Sequence, residues 1–470
     1  MSTLSLMDLA FFIAESDASP KHVAGLQICI KPKGAKANFV KSLYDDYLTF
    51  TDVAPPFNRV INFTLTAMPS WKAVESVNLA DHIFFHKLPA DKTGQKNGRV
   101  ALYELISTLH TPVLARDRPL WEVHVIDGLG GDLGAGRFAL YQKMHHAYAD
   151  GVTMSRWGAE SYQNSADDLD LSPVWTKDHT RSGLKRKKGN QELAMSLWAQ
   201  VTANSKRVFG VSRLLAMLAL EGVKLTKNAI SLPFMAPRHT PLTGMASPGR
   251  QLATAAVSMQ RITALGKKTR STVNHIALTC LDGAIHRYLK EEGITLSKPI
   301  TIQMPVNLRK EGEKAAGNKI GIILVDLSAP TDDPYVRLRN IGYSLRNVRQ
   351  MIDSVAPEAI ETYTILTGVF GQIAEMLKLS NTLAPMGNTT VSNVPGPKEH
   401  LYVKGGRIEE MHPVSTLPPT HLLNITLFSY AGSLNFGLIA SDALPNLQRL
   451  GTYVDEAFDE LERCVAQIGG

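Results

Sequence analysis

A strand-like run ends in two adjacent histidines, and this unit constrains the local fold more than any other part of the chain. Residues 137–144 are rich in Phe, Leu and Tyr and alternate partly between apolar and polar side chains, as a β-strand does. Asp150-Gly151 indicates a turn, and residues 152–162 have helical spacing. Successive side chains of a strand point to opposite faces. If the strand continues through His145 and His146, only one imidazole faces a given cavity, and the other packs or hydrogen-bonds behind it.

The residue types in this unit allow acid–base chemistry. A neutral imidazole can take a proton from an alcohol and return it to a leaving group. Asp150 could orient the site through a salt bridge, or it could cap the helix that follows. A metal site is the weaker alternative, because adjacent histidines lack the i, i+4 spacing of two ligands on one helix face. These residues alone leave a catalytic and a structural role open.

Length and charge narrow the class of protein. A chain of 470 residues is expected to form two domains. Its three cysteines are far apart, which fits a reducing compartment without disulfides or a zinc site. The excess of 50 Lys and Arg over 43 Asp and Glu suits an anionic lipid surface or a phosphorylated cofactor. No nucleic-acid-binding motif accompanies this charge, so nucleic acid is not expected as a partner.

Composition along the chain predicts the domain boundaries. Residues 1–165 form an N-terminal domain that ends just after the histidine unit, and 166–190 form a charged linker with a basic end. Residues 191–470 form a C-terminal domain, which opens with an amphipathic helical segment at 191–231. That segment could lie on a membrane or pack on its own domain. The N-terminus lacks the basic region of a secretory signal, and no apolar stretch is long enough to cross a bilayer.

Several short motifs occur in a characteristic order. The pattern HHxxxDG at 145–151 is preceded by Pro119-Leu120-Trp121 and by an opening with Leu6-Met7-Asp8, Phe11-Phe12 and His22-Val23-Ala24. It is followed by MPVNLR at 304–309, GNKI at 317–320, SNVPGP at 392–397 and GSLNFGL at 432–438. Over essentially its whole length the chain resembles the bacterial wax ester synthase/diacylglycerol acyltransferase branch of the coenzyme A-dependent acyltransferase superfamily.

The resemblance implies a fold and a reaction. The fold would be α/β, with two chloramphenicol acetyltransferase-like domains, mixed sheets and an active-site channel at their interface. The enzyme would use acyl-CoA as a co-substrate, without a permanently bound cofactor or metal, to esterify long-chain alcohols and also diacylglycerol. It would work in the cytoplasm, in peripheral contact with the inner membrane or lipid inclusions, and the basic residues of 181–188 are the candidates for that contact.

The resemblance also assigns roles to individual residues. His146 would be the general base, with His145 and Asp150 supporting it, and Gly151 would leave clearance for the substrate. Asn274 would help to stabilise the oxyanion, although its amide could simply cap the helix that follows. The family carries Asn-Asp at this point, whereas this chain has Asn274-His275, so the role of the acid is in doubt here.

Two other functions would use the same motifs. A condensation-type acyltransferase would take its acyl group from a carrier protein instead of coenzyme A. A catalytically silent lipid-surface protein would keep the fold for binding alone. Retention of the complete HHxxxDG pattern favours an enzyme.

Overall fold

A computed structural model describes residues 2–4, 6–63, 69–89, 98–180, 236–307, 320–354, 384–418 and 420–468, with single positions between 360 and 371. The basic residues of 181–188 and the amphipathic segment 191–231 lie outside the described residues. The helices are α1 Leu6–Ile13, α2 Phe39–Tyr47, α3 Arg99–His110, α4 Gly151–Ala159, α5 Met259–Thr269, α6 Val273–Glu291, α7 Pro334–Ser354 and α8 Leu447–Ile468. The strands are β1 Ser2–Thr3, β2 His22–Ile30, β3 Arg59–Asn62, β4 Ser70–Ala73, β5 Ile83–Lys87, β6 Trp121–Leu129, β7 Arg137–His145, β8 Arg250–Ser258, β9 Thr301–Asn307, β10 Ile320–Asp326, β11 Thr389–Val394, β12 Tyr402–Val403, β13 Gly406–Val414, β14 Leu423–Tyr430 and β15 Ser433–Ser441.

The first large sheet carries the histidine unit. Its six strands run in the order β12-β13-β2-β7-β6-β5, and all neighbours are antiparallel except β5 and β6. The predicted strand at 137–144 is confirmed as β7, which pairs with β2 so that His22 lies opposite His145. A smaller sheet of β1, β4 and β3 lies in the same half of the chain.

Two strands of this first sheet come from the second half of the chain. The sequence boundary placed all of 191–470 in the C-terminal domain, whereas β12 and β13 complete the N-terminal sheet by pairing along β2. The domain boundaries stay a prediction, but residues 402–414 pair with the N-terminal sheet and not with the sheet of their own half. Local composition cannot show this exchange, because the apolar pattern of β13 fits any sheet, and only the partner strand decides which sheet it joins.

The second large sheet is also mixed. Its order is β10-β9-β11-β14-β15-β8, with β11 parallel to both β9 and β14 and the other pairs antiparallel. Helices α6 and α8 pack together, α8 also packs on β8, and their buried side chains include Leu281, Ile285 and Phe458. Two α/β units with mixed sheets confirm the predicted fold class at this level.

A shared apolar core joins the two halves. Leu26 of β2 and Ile106 of α3 lie in one buried cluster with Leu252 of β8 and Ile439 of β15. The sheets approach each other closely at Gly437, where an added Cβ would lie 1.8 Å from the carbonyl oxygen of Pro413 in β13. No side chain fits there, which explains the second glycine of the 432–438 motif.

We expect Gly437→Ala to destabilise the fold by about 3 kcal/mol or more, because the backbone of β13 must move to admit the methyl group. Urea denaturation measures the loss. The matched control is Gly158→Ala in α4, where nothing lies within 4 Å of an added Cβ, so stability should stay the same or rise. Equal stability of Gly437→Ala and wild type would contradict the close approach of the two sheets.

Candidate active site

The histidine motif forms the predicted strand–turn–helix unit. Strand β7 ends at His145, and α4 begins at Gly151. Asp150 is fully buried and is the N-cap of α4, where its Oδ1 accepts a hydrogen bond from the Thr153 amide at 2.9 Å. The capping alternative for Asp150 is thus confirmed, and its salt bridge stays a prediction.

Backbone hydrogen bonds hold the turn between β7 and α4. The amide of His145 donates to the Leu120 carbonyl at 3.0 Å, and the amide of His146 donates to the Lys21 carbonyl at 2.9 Å. The Tyr148 hydroxyl accepts from the Leu120 amide at 2.8 Å. Leu120 is the centre of the Pro-Leu-Trp motif, so this motif contributes to the site by positioning the backbone of the turn.

The two imidazoles occupy different environments. His145 is fully buried and stacks on Phe12 with ring centroids 4.4 Å apart. His146 is partly exposed and stacks on Phe11 with centroids 4.3 Å apart. His146 follows the last residue of β7 and is the more accessible of the two rings, and its role as the base stays a prediction.

Glu15 is the charged neighbour of the buried histidine, and the sequence analysis did not single it out. Its Oε1 lies 3.4 Å from Nε2 of His145, and its Oε2 accepts from Arg116 at 2.9 Å. Burial alone would raise the pKa of Glu15, but His145, the Lys21 amide and Arg116 together lower it to about 2. A single acidic residue between α1 and β2 carries no local signal that could have predicted this contact.

A second buried ion pair lies next to the site on the same sheet. Lys143 of β7 is 2.8 Å from Glu122 of β6, and its ammonium also donates to the Leu109 carbonyl at 2.9 Å. That carbonyl belongs to the last turn of α3, where a cation is favoured by the helix dipole. Burial tends to raise the pKa of Glu122, yet His124 and Lys143 lower it to about 2. The pair joins β6, β7 and the end of α3.

The Asn274-His275 pair lies in the first turn of α6. The interpretation of Asn274 as the N-cap is wrong, because Thr272 caps the helix and its Oγ1 accepts from the His275 amide at 3.2 Å. His275 completes a capping box, in which its Nδ1 accepts from the Thr272 amide at 3.4 Å. The imidazole therefore accepts a hydrogen bond where the carboxylate of the usual acid could do so.

Asn274 is exposed and contacts another motif. Its Oδ1 accepts from Nδ2 of Asn393 at 2.5 Å, so the structure joins the Asn274 turn to the SNVPGP segment at 392–397. This hydrogen bond fixes the amide of Asn274 with its oxygen toward Asn393 and its nitrogen free to face elsewhere. The role of Asn274 at the oxyanion stays a prediction.

We expect His275→Asp to stabilise the protein at pH 7 by about 0.3–1 kcal/mol, because a carboxylate at this position favours the helix N-terminus. Burial and the positive charge of Arg346 both lower the pKa of His275. The charge of Arg346 would also stabilise a carboxylate at this position. Chemical denaturation at pH 7 measures the change. His275→Ala is the control and should be less stable than wild type; an Asp variant no more stable than the Ala variant would contradict this account of the cap.

Gly151 lies where α4 meets the second half of the chain. An added Cβ would lie 3.3 Å from Val394, and Ser155 of the same helix donates to the Pro395 carbonyl at 3.2 Å. An open groove of about 640 Å³ runs between the outer side of α4 and this segment, and it is lined in part by Val152, Arg156 and Lys177. His146 does not line this groove, so the active-site channel stays a prediction, as does substrate clearance at Gly151.

Neither a membrane-spanning helix nor a metal-binding cluster occurs in the described part of the chain. None of the helices in the described ranges has the length and apolar character needed to cross a membrane. Among the same residues, no group of three or more His, Cys, Asp or Glu side chains is arranged to hold a metal ion.

Known proteins match this chain over nearly its full length. Residues 4–277 match the wax ester synthase/diacylglycerol acyltransferase catalytic domain, and residues 316–462 match the C-terminal domain of the same family. A probable diacylglycerol O-acyltransferase of Mycobacterium tuberculosis is 31% identical over 464 residues, which are 97% of this chain and 98% of the relative. A Mycobacterium tuberculosis relative with a similar name is 32% identical over 490 residues, 97% of this chain and 96% of the relative.

Solved structures agree with these sequence matches. The wax ester synthase/diacylglycerol acyltransferase from Marinobacter aquaeolei VT8 has a TM-score of 0.78 and 28% identity, covering 99% of this chain and 100% of that one. The first condensation domain of the calcium-dependent antibiotic synthetase shares the fold, with a TM-score of 0.58 at 12% identity, covering 99% of this chain and 96% of that one. The fold class is confirmed, and the chain belongs to the wax ester synthase/diacylglycerol acyltransferase family.

Proposed function

We propose that this protein transfers a fatty acyl group from acyl-CoA to long-chain alcohols and to diacylglycerol, with His146 as the general base. The observation that carries the proposal is the division of the histidine pair. His145 is buried against Phe12 and Glu15, whereas His146 is partly exposed at the end of β7. The names of the relatives support both acceptors, since the curated ones are named for diacylglycerol and the Marinobacter enzyme also for wax esters.

The reaction needs one base and no covalent intermediate. Nε2 of His146 accepts the hydroxyl proton of the acceptor as its oxygen attacks the thioester carbonyl. The tetrahedral intermediate then collapses, the carbon–sulfur bond breaks, and the imidazolium gives its proton to the thiolate. The products are an ester and free coenzyme A. A thiolate, with a thiol pKa of about 8.5, leaves far more readily than an alkoxide, so collapse runs toward the ester.

The remaining residues serve this step indirectly. Asp150 fixes the start of α4 directly behind the turn through its hydrogen bond to Thr153. Asn274, held by Asn393, is our candidate for stabilising the oxyanion, because an amide N–H placed there would meet the developing charge. Both substrates would meet at His146 inside a channel that excludes water.

Purified protein assayed with palmitoyl-CoA and a panel of acceptors tests the proposal. We expect thiol release that depends on added hexadecanol or dipalmitoylglycerol, with wax ester or triacylglycerol separated by chromatography. A palmitoyl carrier protein in place of palmitoyl-CoA is the second donor. Transfer from the carrier protein alone would favour the condensation-type alternative, and lipid binding without any transfer would favour the silent lipid-surface protein.

We also propose that the protein reaches its insoluble acceptors by peripheral attachment through the basic residues of 181–188. Each exposed Lys or Arg near an anionic surface contributes about 1 kcal/mol, and salt screens this attraction. Binding to vesicles with anionic lipid should therefore fall with added salt, and it should fall further when Lys185, Arg186, Lys187 and Lys188 are all changed to Gln. Cosedimentation measures both effects.

The matched control removes four positive charges elsewhere on the surface. Lys33, Lys36, Lys267 and Lys268 are exposed in the described structure, so their change to Gln lowers the net charge equally. Vesicle binding should fall less in this control. Binding that does not depend on salt, or that is unchanged by the substitutions at 185–188, would move the membrane contact to an apolar surface. An equal fall in both variants would show that net charge, and not these four residues, controls binding.

A further inference from the structure

We propose that Glu15 is a positioning residue that holds both histidines of the motif in their working orientation. The inference deepens the proposed function and rests on His146 as the base. Neither the motif nor the resemblance points to Glu15; the three contacts of its carboxylate do.

The carboxylate of Glu15 is enclosed by the site. Its side chain is only 2% exposed, although α1 and the segment after it lie far from β7 in sequence. Oε1 accepts from the Lys21 amide at 3.0 Å and faces Nε2 of His145 at 3.4 Å, and Oε2 accepts from Arg116 at 2.9 Å. A buried carboxylate is costly unless it is paired in this way, so its position is specific.

The first effect of Glu15 is on the tautomer of His145. Nδ1 of His145 accepts a hydrogen bond from the Ala147 amide at 3.1 Å, so this nitrogen carries no proton. The proton of the neutral ring is then on Nε2, the atom that faces the Glu15 carboxylate. The Glu15 carboxylate and the Ala147 amide thus favour one tautomer and one orientation of the His145 ring. The hydrogen bond from Ala147 also stabilises the turn between β7 and α4.

The second effect reaches His146 through the backbone. The same Oε1 that faces His145 holds the amide of Lys21, and the carbonyl of Lys21 accepts from the His146 amide at 2.9 Å. One carboxylate therefore fixes the buried ring and the peptide that holds the reactive one. Phe11 and Phe12, which stack on the two rings, come from α1, directly before Glu15.

The segment that carries Glu15 is tied to the second half of the chain. Ser19 donates to the Leu417 carbonyl at 2.9 Å, and Arg250 of β8 donates to the Ala18 carbonyl at 2.6 Å. These contacts fix residues 15–21 between the two halves. The geometry therefore couples the orientation of the histidine pair to the assembly of both domains.

Glu15→Gln tests the inference, because Gln keeps the size of the side chain and an acceptor for Lys21 while the charge is lost. We expect kcat to fall about 10-fold to 100-fold with little change in the KM for acyl-CoA, as a small misplacement of the base would cause. Glu15→Asp restores the charge on a shorter side chain, so it should recover part of the lost kcat.

Glu122→Gln is the matched control, since it removes another largely buried carboxylate from a cation on the same sheet. We expect it to lower thermal stability while kcat of the folded protein and the KM for acyl-CoA stay as in wild type. All rates are measured well below the melting temperatures, with the folded fraction checked by circular dichroism. Wild-type kcat in Glu15→Gln would overturn the inference, and so would an equal loss of kcat in both variants. If His146→Ala keeps its turnover, the proposed base itself fails, whatever Glu15 does.

Discussion

Protein carrying His146→Ala is expected to lose about 10²- to 10⁴-fold in kcat while keeping its fold, because removal of a general base has this effect. The ring of His146 is partly exposed and stacks on Phe11, so its loss leaves no large cavity in the core. Coenzyme A release from palmitoyl-CoA in the presence of hexadecanol measures the rate, and thermal denaturation measures the fold.

His145→Ala is the paired control for this experiment. It should reduce kcat less than His146→Ala and lower the melting temperature more, because His145 is fully buried and packs on Phe12. The reverse order of the two rates would assign the base to His145. Near-normal turnover of a stable His146→Ala protein would disprove the mechanism.

Lys143→Met should lower the free energy of unfolding by about 3 kcal/mol, since it breaks a buried ion pair and leaves Glu122 and the Leu109 carbonyl without their cation. The side chain of Lys143 is 2% exposed, and that of Glu122 is 24% exposed, so solvent cannot replace the lost partner fully. Urea denaturation at pH 7 measures the loss. The double variant Lys143→Met/Glu122→Gln should recover part of it, because no uncompensated charge then remains.

The pH dependence of this effect has a defined sign. Glu122 has a pKa of about 2 in the folded protein, well below its ordinary value of 4.5. The pair therefore contributes fully above pH 4.5, and its contribution is lost as the pH falls toward 2. The difference between wild type and Lys143→Met should shrink over that interval.

Lys31→Met is the control for the second prediction. Lys31 pairs with Asp127 at 2.9 Å on the same sheet, but its side chain is 21% exposed. We expect a loss of about 1 kcal/mol, because water reaches the Lys31 ammonium and screens the pair, although the Asp127 carboxylate is only 16% exposed. Equal losses in the two lysine variants would show that burial of the Lys143 pair has no special weight.

Interactions between near neighbours in the chain were predictable from sequence. The strand–turn–helix unit was predictable because apolar alternation, a turn dipeptide and helical spacing all act within about ten residues. The histidine pair was predicted less well, because alternation of side chains requires the strand to continue through His146, whereas β7 ends at His145. The N-cap at Asp150 followed from its place three residues before the Thr153 amide.

One local interaction was nevertheless missed. Thr272 and His275 have the spacing of a capping box, but histidine is not the usual partner in that box. Asn274 was therefore interpreted as the N-cap instead. Thr272 has the extended backbone of an N-cap, and threonine is also a favoured residue at that position.

The sequence by itself determined the family and the histidine unit with its strand β7, since these depend on residue order and local spacing. Only the tertiary structure decided that β12 and β13 join the first sheet, that Glu15 faces His145 and that Lys143 pairs with Glu122 at the end of α3. Each of these residues could have paired equally well with many other partners. A buried charge must find a partner, but which partner it meets depends on how the sheets pack, and no local pattern of residues records that packing.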